Sequence, residues 1–212
     1  MIAIDVGNST VIFARFSGLE IADRIALTTG EMTVPAAAAA CARLLGGDDV
    51  SAADRDGPAW VASVVPAATA AVQEAFARRR ACPPRILDPL RDAILEHDLA
   101  TPATTGIDRL LAARAARDRF DAGRPRTGIV VIQAGTAATV DLVDRRGVFL
   151  GGIILPGPRL WLESLATTAR IPGFRAQDAD WSVAAPGARR ALGRDTRSAV
   201  LNGLALGLSA AI

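Results

Sequence analysis

Lysine and tyrosine are absent from the chain, histidine occurs once (His97), and cysteine occurs twice (Cys41 and Cys82). Each gap closes off a chemistry. Without lysine there is no Walker-type phosphate-binding lysine and no Schiff base. Any phosphate must be held by backbone N–H groups, hydroxyls, a metal ion or arginine. A single histidine excludes a multi-histidine metal centre and argues against a Ser-His-Asp triad. Neither cysteine has a Cys or His nearby at metal-ligand spacing, so both read as buried or reduced thiols. Aromatic residues are only 4% and do not interleave with the basic ones, which argues against stacking on nucleic-acid bases. No apolar run nears the roughly eighteen residues of a membrane span. The first apolar run is broken by Asp5 and no basic region precedes it, unlike a signal peptide. The expectation is a soluble, cytoplasmic protein with no nucleic-acid or membrane partner.

What is present is a large apolar inventory. Hydrophobic residues make up 50% of 212 positions, enough to build a sizeable core in one large domain or two small ones. The net charge is +2, and all 24 basic residues are arginine. Together with the alanine richness, this reads as a base-composition bias of the genome. The run Arg78-Arg79-Arg80 reads as a solvated helix end.

Hydrophobic periodicity and turn residues predict strands over 1–6, 10–17 and 20–26, with Gly7-Asn8 and Gly18 in the turns. A helix is predicted over 33–46, closed by Gly46-Gly47. A polar loop over 48–58 leads to a short strand over 59–65. Pro66 opens a helix through Arg80, and 85–87 is a further short strand. A helix over 107–120 precedes strands at 127–133, 137–143 and 148–154, and helices over 156–170 and 188–212. The second meander repeats the first, so that 130–144 looks like a second copy of 2–17. The order predicts an α/β fold of two similar halves with a nucleotide cleft between them.

Three stretches carry candidate chemistry. In Asp5-Val6-Gly7-Asn8-Ser9-Thr10, a carboxylate at a strand tip can hold a hydrated Mg²⁺. Gly7 lets a phosphate approach the backbone, and Asn8, Ser9 and Thr10 offer neutral hydrogen bonds. A plain hairpin turn explains the glycine and asparagine but not the aspartate. In Gly106-Ile107-Asp108-Arg109, Asp108 is either a favourable charge in the first helical turn or a general base. Arg109 correspondingly is either solvated or a clamp on a substrate carboxylate. In Gln133-Ala134-Gly135-Thr136-Ala137-Ala138-Thr139-Val140-Asp141, Gly135 and the two threonines form a second phosphate-facing turn or the polar face of a hairpin.

Taken together, these stretches resemble the type III pantothenate kinases, of the acetate/sugar kinase–Hsp70–actin superfamily. The matching motifs are DVGNST (5–10), TGIDRL (105–110), GTAATVD (135–141), GGIILPG (151–157), TTARIP (167–172) and LGRDT (192–196) followed by Asn202-Gly203. ASVVP (62–66) and Pro102 match as well. The resemblance covers nearly the whole chain in order. It implies two actin-like (ribonuclease H-like) halves, 1–105 and 106–212, each a mixed sheet containing a meander and flanked by helices. It implies transfer of the γ-phosphoryl of ATP to the primary hydroxyl of pantothenate, the first step of coenzyme A synthesis, by a homodimer. On that basis Asp5, Val6, Gly7, Asn8, Ser9, Thr10, Val11 and Ile12 form the first phosphate loop, with Asp5 near Mg²⁺. Gly135 and Thr136 meet ATP. Gly106, Ile107, Asp108 and Arg109 meet pantothenate, Asp108 accepts the proton, and Thr196 reaches the neighbouring subunit's pantothenate.

Three features depart from the family pattern. Where Gln133 stands, the family usually has an aspartate that helps bind an activating monovalent cation, K⁺ or NH₄⁺. Glutamine keeps a carbonyl oxygen and loses the charge. Leu99 stands where a tyrosine often lines the pantothenate pocket. The sequence ends at Ile212, where family members continue toward an adenosine wall, so a shortened C-terminal half with weaker nucleotide binding is expected. Two other readings remain open: a non-catalytic binding or regulatory relative, and a kinase of another small hydroxy acid.

Overall fold

The computed structural model describes residues 1–46, 50, 57–78, 83–92, 94–120, 127–167, 171 and 192–211. Two sheets and five α-helices make up these residues. The first sheet contains β1 (Ile2–Val6), β2 (Thr10–Ser17), β3 (Glu20–Thr28), β4 (Ala59–Ser63) and β5 (Arg85–Ile86), in the order β3-β2-β1-β4-β5. The first three strands form the antiparallel meander, and β4 and β5 add in parallel beside β1.

Alternation along β1 decides which way this sheet faces. Ile2, Ile4 and Val6 are buried on one side, while Asp5 points to the other. On the buried side lie α1 (Val34–Leu45) and α2 (Pro66–Ala77). The side chain of Thr33 caps α1 by accepting from the N–H of Ala36 at 3.3 Å. Ala37, Ala40, Cys41 and Leu44 then recur at helical spacing on its inner face. Cys41 is therefore a core thiol, as expected; Cys82 lies outside the described residues. Phe13 and Phe76 are fully enclosed here, each contributing about 1.5–3 kcal/mol by burial.

The second sheet is antiparallel, in the order β6 (Ile129–Ala134), β7 (Ala137–Val143), β8 (Phe149–Pro156). Helix α3 (Ile107–Phe120) packs Ile107, Leu110 and Ala113 with Val143 and Phe149 of this sheet, and with Ala62 from the open side of β4. It is the element that joins the two sheets. Ile94, Leu95 and Leu99 belong to the same cluster, and His97 bridges Phe149 alongside β8. Helices α4 (Pro158–Thr167) and α5 (Thr196–Ala211) form a third, smaller cluster around Leu162 and Leu204.

Most predicted elements lie within a residue or two of their observed bounds. Three of the offsets have visible reasons. Strand β3 continues to Thr28 because Thr29 is anchored to the first turn, its hydroxyl donating to the Gly7 carbonyl at 2.7 Å. Strand β8 runs on to Pro156 because its register with β7 extends to the pair Ala137–Pro156, and α4 starts only after Gly157. Helix α5 starts at Thr196 because the Asp195 side chain accepts from the N–H of Ser198 at 2.8 Å and caps it there. Positions 188–191, 168–170 and 79–80, and much of the loop over 48–58, lie outside the described residues.

One buried ion pair fixes α3 on the second sheet. Asp141 sits mid-strand in β7 with no exposure, and Arg109 in the first turn of α3 donates to it through Nε (3.0 and 3.2 Å) and Nη2. The Arg109 guanidinium also lies 5.8 Å from the centre of the Phe149 ring. Two desolvated charges persist here because each has the other and the geometry is two-pronged.

Asp141→Ala would leave a buried guanidinium unpaired and should cost about 3–5 kcal/mol in urea unfolding. Replacing both partners with apolar residues, Arg109→Met with Asp141→Leu, should recover most of that loss. A single variant as stable as the parent would show that the pair does not hold α3.

Candidate functional site

The first turn is built from the β1–β2 connection. Its Gly7 N–H bonds to the Thr10 carbonyl at 3.0 Å, and a Cβ on Gly7 would press on that same oxygen at 3.2 Å. Thr29 braces the turn from behind: its hydroxyl holds Gly7 and its N–H bonds to the Ser9 carbonyl at 3.0 Å. The side chains of Asn8, Ser9 and Thr10 are left exposed.

The second turn is the β6–β7 connection, closed by the Gly135 N–H on the Ala137 carbonyl at 3.0 Å. The start of α4 is clamped onto it, with the Gly157 N–H donating to the Thr136 carbonyl at 2.9 Å. A Cβ at Gly157 would collide with the Gly135 and Thr136 backbone, so only glycine fits. The two turns meet: Ser9 Oγ and Thr136 Oγ1 lie 2.7 Å apart across 127 positions of sequence.

Below the turns lies a cavity of about 270 Å³ lined by Asp5, Ser9, Ile12, Asp108, Gln133 and Thr136, among others. Asp5 enters from the strand tip, flanked in register by Ile12 and Ala62. Those apolar neighbours thin the water around a carboxylate that still reaches solvent. Desolvation first, and repulsion from Asp108 second, push the Asp5 carboxyl above the usual carboxylate range. Asp108 enters from the first turn of α3. Its carboxylate folds back over Gly106, where a Cβ would strike Oδ1.

The donor set suits a hard divalent ion. Two carboxylates face each other among hydroxyls, and a cation between them would remove the repulsion that raises Asp5. Among the described residues no three His, Cys, Asp or Glu side chains converge, so such an ion would keep most of its water. Gln133 Oε1 and Thr139 Oγ1 are buried with no hydrogen-bond partner among the described residues. Two orphaned neutral oxygens fit a monovalent cation better than they fit an empty wall.

Most residues singled out from the sequence converge here. Asp5, Gly7, Asn8, Ser9, Thr10, Ile12, Asp108, Gln133, Gly135 and Thr136 all line the cavity. Val6 and Val11 do not: their side chains are fully buried in the first core, and they reach the site only through the backbone. Arg109 is neither solvated nor presented as an open clamp, because Asp141 engages it. Thr196 is exposed at the start of α5, away from the cavity lining. Leu99 lies against Gly151 of β8. In the TTARIP stretch, positions 168–170 and 172 lie outside the described residues. Sequence reading gave no role to Asp141, although an acid inside the apolar run AATVDLV demands a partner. It also gave no role to Val64, although that residue lies in the matching stretch ASVVP, or to Arg159 and Glu163, which carry no motif signal.

Known proteins resemble this chain over most of its length. The chain is 31% identical to a type III pantothenate kinase of Thermomicrobium roseum over 98% of its own length and 75% of that protein's. It is 31% identical to that of Rubrobacter xylanophilus over 100% and 76%, and 32% identical to that of Rhodospirillum centenum over 100% and 77%. A solved Campylobacter jejuni structure, described as a Baf family transcriptional activator, matches with a TM-score of 0.54 at 17% identity. It covers 100% of this chain and 79% of that one, a likeness of fold alone. The type III pantothenate kinase family matches residues 1–212. The chain belongs to the type III pantothenate kinase family.

Proposed function

We propose that this chain transfers the γ-phosphoryl group of ATP to the primary hydroxyl of pantothenate, forming 4′-phosphopantothenate at the start of coenzyme A synthesis. The observation that carries this reading is the meeting of both hydroxyl-bearing turns, Asp5 and Asp108 around one cavity. Phosphoryl transfer needs positioning and charge stabilisation more than covalent chemistry, and this lysine-free site offers both.

In this mechanism the turns at Gly7–Thr10 and Gly135–Thr136 hold phosphate oxygens through hydroxyls and backbone N–H groups. Asp5 would hold a hydrated Mg²⁺, and such an ion would supply positive charge for the phosphate oxygens. Asp108 orients the acceptor hydroxyl and takes its proton. Gly106 leaves room for that carboxylate to fold back. Arg109 anchors the tip of α3 through Asp141, and Ile107, whose side chain is buried in the core, can meet the acceptor only through its backbone. The unpartnered oxygens of Gln133 and Thr139 would be the residues to hold a K⁺ or NH₄⁺ ion, which would supply positive charge beside the second turn.

The first sheet and its helices form one actin-like half, over 1–105. The second meander begins the other, over 106–212. A homodimer places Thr196 at the neighbouring acceptor pocket, and the exposed apolar side chains Val130, Ile132, Ile153 and Leu206 suit such burial. Among the described residues no helix is long and apolar enough to cross a membrane.

Pantothenate-dependent ADP release tests the reaction. Asp108→Asn should lower kcat about 10²–10⁴-fold with little change in nucleotide affinity. Gly106→Ala should fold normally and also lose kcat, because the new Cβ displaces the Asp108 carboxylate. No pantothenate-dependent turnover by the parent at saturating Mg²⁺ and ATP would overturn the proposal.

Asp5 makes a separate prediction about stability. Its folded pKa lies above the unfolded value of 3.8, so the folded state binds more protons between the two. Stability is therefore unpenalised below pH 3.8 and falls as pH rises toward the raised value; the penalty persists at neutral pH. Asp5→Asn should thus raise the melting temperature of the metal-free protein at pH 7 while abolishing activity. Solvent screening limits the gain to under about 1 kcal/mol, or roughly 4 °C. A lower melting temperature would contradict it.

A further inference from the structure

Helix α4 carries a charge in the wrong place for helix stability. Arg159 lies in its first turn, where the positive end of the helix dipole disfavours a cation. Its partner Glu163 follows four residues later, with Arg159 Nε donating to Oε1 at 2.6 Å. Arginine ahead of glutamate is the weaker order for such a pair, and the reverse would suit the dipole. The Arg159 side chain is 82% exposed, so the pair adds little to stability. Folding does not account for this arrangement.

Position does account for it. Arg159 and Glu163 line a second cavity, of about 470 Å³, that also contains Ser9, Thr10, Gly135 and Thr136. The two cavities share both turns. Among the described residues lining either one, Arg159 is the single cation, against Asp5, Asp108 and Glu163. Arg109 is close in sequence to Asp108 but is bound to Asp141. No lysine exists to serve instead. The clamp of Gly157 on Thr136 fixes the start of α4, and so Arg159, beside the second turn.

We propose that Arg159 is a phosphate-contacting residue for the nucleoside triphosphate, and that Glu163 is the counter-ion it leaves when the polyphosphate enters between the turns. The inference deepens the kinase reading and rests on it. A planar guanidinium offers two parallel donors to phosphate oxygens, which the carboxylate of Glu163 occupies only in part at rest. Glu163 then does two things: it keeps the cation aimed, and it competes with the ligand.

The two substitutions therefore act in opposite directions. Binding of Mg²⁺–ATP and of inorganic tripolyphosphate to the 212-residue chain can be measured by calorimetry. Arg159→Gln should weaken both about tenfold, the loss of one charge-assisted contact. Glu163→Gln should tighten both, and Arg159→Lys should recover part of the loss. Pantothenate affinity should stay within about twofold in all three variants. Because both side chains are exposed, the melting temperature should not move, and the Glu163 variant keeps the test valid even if Arg159→Gln misfolds. Equal nucleotide affinity for parent and Arg159→Gln would overturn the assignment of Arg159 alone. A parent that binds neither ATP nor tripolyphosphate would instead overturn the kinase reading, and this inference with it.

Discussion

The geometry of the cleft depends on the buried pair between Arg109 and Asp141. Asp141 is an interior residue of β7, and β7 begins immediately after the turn that carries Gly135 and Thr136. Arg109 follows Asp108 directly on α3. One ion pair thus sets the distance between the candidate base and the second turn. The contact of Ser9 with Thr136 sets the first turn against the second, and β1 places Asp5 below both. The chain brings together groups separated by more than a hundred residues with very few contacts, each lying within a few residues of the group it positions.

The same economy shapes the electrostatics. Asp5 and Asp108 repel across the cavity, and that repulsion adds to the desolvation that keeps the Asp5 proton affinity high. A cation bound between the two carboxylates would relieve that repulsion. In a chain without lysine, positive charge must come from the ion and from arginine. One arginine is committed to structure at Asp141, and Arg159 is left at the mouth. Glu163 is paired with that second arginine.

Much of this was readable from the residues alone. Alternation in IAIDV places Asp5 opposite the core, and the glycine turns at 7 and 135 announce themselves beside short apolar runs. Helix α3 was delimited correctly because Gly106 precedes a clear helical spacing. What could not be read were the relations between distant segments. Nothing local says that Arg109 turns inward to Asp141, since either solvent or a substrate carboxylate would satisfy an arginine at that position equally well. Arg159 and Glu163 look like an ordinary surface pair until α4 is seen docked on the second turn. The starts of α4 and α5 were misjudged because strand register and an aspartate cap, both non-periodic signals, determine them. The second sheet shows only its meander among the described residues, so the repeat predicted from sequence extends to strand–turn–strand and strand.

The central claim is that two turns from two sheets form a single phosphate site with Asp108 as its base. A crystal structure with Mg²⁺, a non-hydrolysable ATP analogue and pantothenate tests it most directly. The account predicts the terminal phosphate between Gly7–Thr10 and Gly135–Thr136, with the pantothenate primary hydroxyl within hydrogen-bond reach of Asp108. Phosphate bound at only one turn, or an acceptor hydroxyl remote from Asp108, would contradict it.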